Sequence, residues 1–427
     1  MILWASFFAL LVIGVPVAVT MGLSGMIALM AGTTFSPLLV AQRMFSGIDS
    51  FPLMAVPFFI LAAEIMTAGR LTDVLLRFAL QAIGPIRGGL GHANIATSVM
   101  FSGISGSALA DAAGPGALLI RMMKRAGYDE GYAAGLTASA AIIAPIIPPS
   151  IIMIIYALAD NSVTVGALFT AGILPGLMLA GALALTNHVL ATRRGYRSAD
   201  PRPPMRVFLR NTAEALPALA LPVIILGGIH SGAFTPTEAS AVAVFYALAV
   251  GMLVYRTVRV GMLPGILLRT ALMTSAVLLI ISMASVFAWL LAVLQIPQTV
   301  AATVKGMGLS QTGFLAFVLL LLLACGLVLD TLPAVIILVP ILAPLSTQFG
   351  VDPIHFAMVV ILNLTIGMVT PPVGAVLFVL SVVARIPMGR LVRGVLPFLL
   401  AEMAVLLLIT FVPWFSTAVP HALGYAR

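Results

Sequence analysis

Two aspartates stand in otherwise apolar stretches, each beside hydroxyls and glycines. The run "FSGISGSALADAAGPG" (101–116) carries Ser102, Ser105, Ser107 and Asp111, and "CGLVLDTLP" (325–333) carries Asp330 and Thr331. A carboxylate between apolar walls is costly unless a cation, water or polar partner compensates it. Small-residue helix packing explains the glycines and alanines around Asp111 but not the acid itself. Two more runs, "APIIPPS" (144–150) and "NLTIGMVTPPVG" (363–374), place adjacent prolines inside apolar stretches. A proline lacks the N–H for its own i−4 bond, and its ring pushes that carbonyl aside. Pro148 and Pro149 are therefore expected to free the carbonyls of Ala144 and Pro145, and Pro371 and Pro372 those of Gly367 and Met368. Such carbonyls and the carboxyl ends of half-helices suit a cation, while half-helix amino ends suit a carboxylate. Hydroxyls at Ser150, Thr365 and Thr370 and the amide of Asn363 lie close by. Oxygen-rich clusters of this kind fit a hard cation such as Na+, and the thiolate and imidazole sets of a transition-metal site are missing.

The elements that must position these groups are membrane helices. Hydrophobic residues make up 62% of the 427 residues and charged residues 8%, with a mean hydropathy of +1.19. A soluble domain of this length needs far more charge on its surface. Apolar runs long enough to cross about 30 Å of hydrocarbon recur from end to end. Spans are expected at 3–29, 51–68, 72–87, 131–160, 165–190, 213–230, 237–255, 266–296, 354–380 and 391–414. The first has no positive n-region and reads as a span rather than a signal peptide. Gly 38 and Pro 28 suggest broken helices, tolerated only where protein or a wet cavity surrounds the freed backbone.

The net charge of +8 does not point to nucleic acid, because the basic residues sit in short clusters between apolar runs, as cytoplasmic loops do. The clusters are "RMMKR" (121–125), 193–210, "RTVR" (256–259) and "RIPMGRLVR" (385–393). Placing them on one side makes 89–120 a re-entrant hairpin from the inner face and 312–346 a re-entrant hairpin from the outer face. An internal repeat agrees. Gly103 lies 45 residues before Pro148 and Gly326 lies 45 before Pro371, an offset of 223 between halves, and "GILP" (172–175) is echoed by "GVLP" (394–397). The fold class is thus an all-α polytopic membrane protein, an inverted repeat with two opposed hairpins and two proline-broken helices. Paired broken helices in inverted repeats are the pattern of secondary transporters, with the binding site at the breaks.

Other chemistry finds little support. The five histidines show no ligand spacing, no "GxxxxGK[ST]" phosphate loop is present, and the single Cys325 excludes an intrachain disulfide. "FTPTEAS" (234–240) reads as a helix start with Thr235 as cap and Glu238 closing a capping box. Glu64 and Glu402 are exceptions to apolarity that either line a cavity or meet another subunit.

These motifs resemble one family, the large membrane subunit of tripartite ATP-independent periplasmic (TRAP) transporters. The matching stretches are "PFFILAAEIM" (57–66), "GGLGHANIATSVMFSGISGSALADAAGPG" (88–116), "IIPPSIIMIIY" (146–156), "LFTAGILPGL" (168–177), "GGIHSGAFTPTEAS" (227–240), "GLVLDTLP" (326–333) and "NLTIGMVTPPVG" (363–374). They run in order over nearly the whole chain. Where the family usually has "ASS..IG.IIPPS", this chain has "ASAAIIAPIIPPS", so Ala140 and Ala144 replace a hydroxyl and a glycine.

The resemblance implies a Na+-coupled, elevator-type importer of organic acids in the bacterial inner membrane, not an enzyme. Its partners are a small four-helix membrane subunit, a soluble periplasmic substrate-binding protein and the surrounding lipid. It implies scaffold parts at 1–87 and 213–311, transport-domain repeats at 88–190 and 312–414, a cytoplasmic loop at 191–212 and a tail at 415–427. Na+ sites fall at Ser102, Ser105, Asp111, Ala144, Pro145 and Pro148, and at Asp330, Asn363, Gly367, Thr370 and Pro371. A substrate carboxylate falls among Ser105, Ser107, Ser150, Thr331 and Thr370. C4-dicarboxylates, sialic acids, keto acids and sugar acids remain open as substrates. The competing readings are a stand-alone Na+-coupled carboxylate transporter, an intramembrane enzyme using an Asp111–Asp330 pair, and a non-transporting scaffold.

Overall fold

The computed structural model describes residues 2–32, 38–69, 71–196, 204–327 and 329–425, which form helices and their connections with no strand among them. Positions 197–203 of the expected basic loop, Val328 in the expected outer hairpin and the last two residues of the tail lie outside the described residues. A bilayer offers no water to unpaired backbone groups, which favours helices that satisfy their own. Seven of the described helices are long and apolar enough to cross a membrane.

The amino-terminal region departs from expectation. The span at 3–29 is two helices, α1 (Ile2–Val12) and α2 (Val17–Gly32). Gly14 takes φ +89° and Pro16 has no N–H to extend a helix, so the chain turns there. The two pieces fold back beside one later helix: Trp4 and Phe7 touch Phe287, and Gly22 and Gly25 face Met283 and Leu290. A short helix α3 (Leu38–Ile48), not expected from sequence, follows them, with Arg43 lying over the Trp289 ring at 5.3 Å. Helix α4 (Ala55–Ala68) comes next and then α5 (Leu71–Ile83).

The expected span 72–87 does not cross. At 1.5 Å per residue α5 is about 20 Å long, short of the hydrocarbon thickness. Both of its flanks also lie at the same end of the molecule: Thr257 holds the Gly69 carbonyl at 2.5 Å, and the Gly88 N–H donates to Tyr196 O.

The first repeat comprises α6 (Gly89–Ser105), the single turn α7 (Ala108–Asp111), a π-helical turn Ala112–Gly116 and α8 (Ala117–Arg125), followed by α9 (Glu130–Ala141), α10 (Ile151–Ala159), α11 (Val165–Ala171) and α12 (Ile173–Arg193). The central helices are α13 (Met205–His230), α14 (Pro236–Ala249), α15 (Leu263–Val293) and α16 (Ile296–Gly306). The second repeat runs α17 (Gln311–Gly326), α18 (Thr331–Gln348), α19 (Pro353–Gly367), α20 (Ala375–Ala384) and α21 (Met388–Phe411), and α22 (Trp414–Ala422) closes the described chain.

Both hairpins are re-entrant and open at opposite ends. The mouth of the first lies where Gly88 meets Tyr196 and where Glu130, just past α8, pairs with Lys124 and with Arg390 at the start of α21. The mouth of the second is closed by Gln311 donating to Gly350 O at 2.9 Å and by Phe314 stacked on Phe349. His355, at the start of α19 beside it, is bonded to Thr410 O at the far end of α21. Helix α21, about 36 Å long at 1.5 Å per residue, therefore separates the two mouths. The first mouth gathers Arg121, Lys124, Arg193, Arg194 and Arg390, and is called the basic end below.

The two repeats are seamed by bare backbone. A Cβ on Gly135 of α9 would sit 2.3 Å from the Gly394 carbonyl carbon in α21, and one on Gly394 would meet Gly131 O at 1.8 Å. Only glycine allows that approach, the close packing on which membrane helices depend.

Candidate functional site

The tip of the first hairpin is built by a glycine and three side chains. Helix α6 stops at Ser105 because Gly106 takes φ +57°, a left-handed conformation that suits glycine. Ser107 then starts α7 by accepting from the Ala110 N–H. Ser105 donates directly to one carboxylate oxygen of Asp111, while the other, Oδ2, is buried with no hydrogen-bond partner among the described residues. Ser102 is fully buried and turned back onto Val99 O.

The first break meets that tip. α9 ends at Ala141, a non-helical stretch holds the cis Pro148–Pro149 bond, and Ser150 caps α10. A Cβ on Gly106 would come within 2.6 Å of Pro149 O, so tip and break are in backbone contact. The expectation that Pro145 offers a freed carbonyl is corrected: the Ser150 hydroxyl donates to it at 2.6 Å and accepts from Met153 N. The serine stitches both sides of the break together, leaving that carbonyl one lone pair.

The second half has the same plan with different side chains. Asp330 stands before α18 without capping it through its side chain, and its Oδ1 is buried without a partner among the described residues. Thr331 donates to Leu364 O at 3.3 Å, which ties the hairpin to α19. A Cβ on Gly367 would lie 2.9 Å from Gly326 Cα, so hairpin and broken helix again touch through glycine. Asn363 donates to Leu319 O at 3.0 Å and keeps a buried, unpartnered Oδ1. The carbonyls of Gly367 and Met368 are likewise not free: Thr370 N donates to the first and Val376 N to the second. Thr370 itself turns its hydroxyl to Ile366 O. Around the cis Pro371–Pro372 bond this break is partly exposed, whereas Pro148 and Pro149 are buried.

One cavity of about 680 Å³ joins the two tips. Ser105, Gly106 and Ser107 line it from the first hairpin, Asp330 and Thr331 from the second, and Pro145 and Met368 from the breaks. Ser150 and Thr370 do not line it, their hydroxyls being turned into the breaks. Asp111, Ala144, Asn363, Gly367 and the proline pairs also stand behind its walls. A further wall comes from Ile60, Ala63, Glu64 and Thr67 of α4 with Met273, Ala276 and Val277 of α15, of which only Glu64 was named from sequence as a residue that either lines a cavity or meets another subunit. Their i, i+3, i+4 spacing marks one face of each helix, but nothing in the sequence aims those faces at the hairpins. Glu64 is paired with Arg269 of α15 at 2.8 Å. Glu402, by contrast, is fully buried away from this cavity.

The chain is similar to known proteins. The family model described as "Tripartite ATP-independent periplasmic transporter, DctM component" matches residues 4–415. The chain is 42% identical to the sialic acid TRAP transporter large permease protein SiaM of Vibrio cholerae, covering 91% of this chain and 90% of that protein. It is 40% identical to the C4-dicarboxylate TRAP transporter large permease protein DctM of Pseudomonas aeruginosa, over 95% and 94%. The 2,3-diketo-L-gulonate TRAP transporter large permease protein YiaN of Escherichia coli is 39% identical, over 94% of each. In fold, the chain is similar to the crystal structure of the YdaH transporter of Alcanivorax borkumensis, with a TM-score of 0.62 at 14% identity over 98% of this chain and 99% of that one. The relatives are permease proteins, which removes the intramembrane-enzyme reading.

Proposed function

This chain is a member of the DctM family of TRAP transporters, and on that premise we propose that it is the large permease subunit of a Na+-coupled importer of an organic acid. The observation that carries the reading is a cavity lined by both hairpin tips and both helix breaks. Its volume suits a small metabolite, since ligand pockets run from about 300 to 1,000 Å³. Sialic acid, C4-dicarboxylates and 2,3-diketo-L-gulonate, named for the relatives, all carry a carboxylate.

Sodium enters as cargo beside the substrate. Asp111 Oδ2 in one half and Asp330 Oδ1 with Asn363 Oδ1 in the other are buried acceptors that no described donor satisfies. A cation at each would compensate the buried charge and order the tip that supplies it. The substrate carboxylate then settles beside Ser105, Ser107 and Thr331. With both ions bound, Asp111 and Asp330 carry no uncompensated charge as the domain slides past α4 and α15, whereas an unloaded domain leaves both unpaired. Substrate arrives from a periplasmic binding protein, and a small membrane subunit widens the stationary helices.

The basic end is taken as cytoplasmic. The cavity meets α4 over residues 60–67, in the part ending at Gly69 near that end, and α15 over 273–277, in its first half. The arrangement therefore corresponds to an inward-directed position of an elevator. Reconstitution of this chain with its small subunit and binding protein tests the proposal. Uptake of one of these carboxylates is expected to require an inward Na+ gradient. Equal uptake with K+ replacing Na+ refutes the coupling.

A further inference from the structure

The charges around the cavity do not balance for a carboxylate cargo. Asp330 and Glu64 contribute negative charge to its walls, and among the described residues no lysine, arginine or histidine lines it. The cation bonded to a wall residue is Arg269, whose Nε lies 2.8 Å from Glu64 Oε2. Glu64 is nearly buried, its side chain 16% exposed, but Arg269 is 53% exposed and so keeps guanidinium donors beyond the one it gives to Glu64. The pair stands on the faces that form the cavity's second wall: Arg269 is one helical turn from Met273 on α15, and Glu64 lies between Ile60 and Thr67 on α4. Arg269 also lies on the basic-end side of Met273.

Building on the transport reading above, we infer that Arg269 is the scaffold-side receptor for the carboxylate of the departing substrate, and that Glu64 is the positioning residue that aims it. Guanidinium matches a carboxylate with two parallel N–H donors, a geometry lysine cannot supply. As the cargo sodium leaves, Asp330 regains an uncompensated charge that repels the carboxylate beside Ser105, Ser107 and Thr331. Arg269 supplies the carboxylate with a counter-charge on the basic-end side. The Glu64 carboxylate holds the guanidinium in place when the cavity is empty and keeps it from binding a passing anion tightly.

The test uses the reconstituted complex, importing whichever of sialic acid, a C4-dicarboxylate or 2,3-diketo-L-gulonate it takes up fastest. The readout is inhibition of import by the same substrate placed in the lumen, at the basic end. The R269Q variant should raise the half-inhibitory lumenal concentration about tenfold, as expected for loss of one partly solvated charge-assisted pair. R269K should recover part of that shift, and E64Q should lower the half-inhibitory concentration. An amide analogue of the substrate should inhibit wild type and R269Q alike. If R269Q lowers melting temperature and maximal rate while trans-inhibition stays unchanged, or if the amide shows the same shift, the pair is only a tie between α4 and α15 and the inference fails. Absence of Na+-driven uptake in wild type fails the transport reading instead, so the two failures are separable.

Discussion

Gly106→Ala asks whether the first hairpin tip is clamped to the first helix break by backbone contact. The glycine takes φ +57°, and a left-handed conformation costs an L-residue about 1–2 kcal/mol. Its new Cβ would lie 2.6 Å from Pro149 O and 3.3 Å from Ser150 Cα. Ordinary C···O contacts begin near 3.3 Å, so either the tip or the break must yield by about 0.7 Å. Neither can do so by rotating a side chain, because both partners are backbone. Overpacking of this type typically adds about 1–3 kcal/mol. The smallest combined cost is thus about 2 kcal/mol, which at 1.4 kcal/mol per tenfold makes opening of the tip roughly 30-fold easier.

Hydrogen exchange reads that opening directly. Gly106 N is bonded to Ser102 O and Asp111 N to Ser107 O, so the amides of residues 102–113 report the closed tip. G106A is expected to lose protection there and at 146–154 together, by at least about 30-fold. Gly114→Ala is the matched control: it lies on the same tip, keeps an ordinary φ and has nothing within 4 Å of its Cβ. G114A should exchange like wild type. Equal loss in both variants, or wild-type protection in G106A, would refute the backbone clamp.

Asp330→Asn should raise the half-saturating Na+ concentration for uptake at least about tenfold, by the charge lost from a buried ligand, and an unchanged sodium curve removes Asp330 from the ion site. Gly394→Ala drives a Cβ to 1.8 Å from Gly131 O and should lower the melting temperature, whereas Gly389→Ala meets nothing within 4 Å and should not. At the basic end, the hydrogen bond and charge of Lys124, with Arg390 beyond, hold the Glu130 carboxyl below its ordinary value. A lowered folded-state value means the contribution is complete above the ordinary glutamate pKa of about 4.3 and disappears as pH falls through the lowered one. The melting-temperature gap between wild type and E130Q should therefore shrink on acidification from pH 7 to pH 3, and a gap that widens contradicts the sign.

The legible part of this fold rests on features whose signal is local. A proline pair marks a break wherever it falls, and "ISGSALAD" or "VLDTLP" announces a tip through glycine, hydroxyl and carboxylate within a few residues. The Thr235–Glu238 capping box is likewise formed as the sequence spells it. Local signal fails where a neighbour decides. Gly14 and Pro16 were visible inside "VIGVPVA", but that they fold α2 back rather than kink one span depends on α15 receiving both pieces. Helix α5 is about 20 Å long, too short for a full span, and its ties at Gly69 and Gly88 place both flanks at one end. At the breaks, counting the N–H groups that proline removes was sound, yet three of the four carbonyls were taken up by donors just beyond: Ser150 for Pro145, Thr370 for Gly367 and Val376 for Met368. Asp111, Asp330 and Asn363 each keep a buried side-chain oxygen that no described donor satisfies. Glu64 and Arg269 show the limit most clearly. They are 205 residues apart, and each alone reads as a stray charge in an apolar helix. Their meaning arises only where α4 and α15 come together opposite the two hairpin tips.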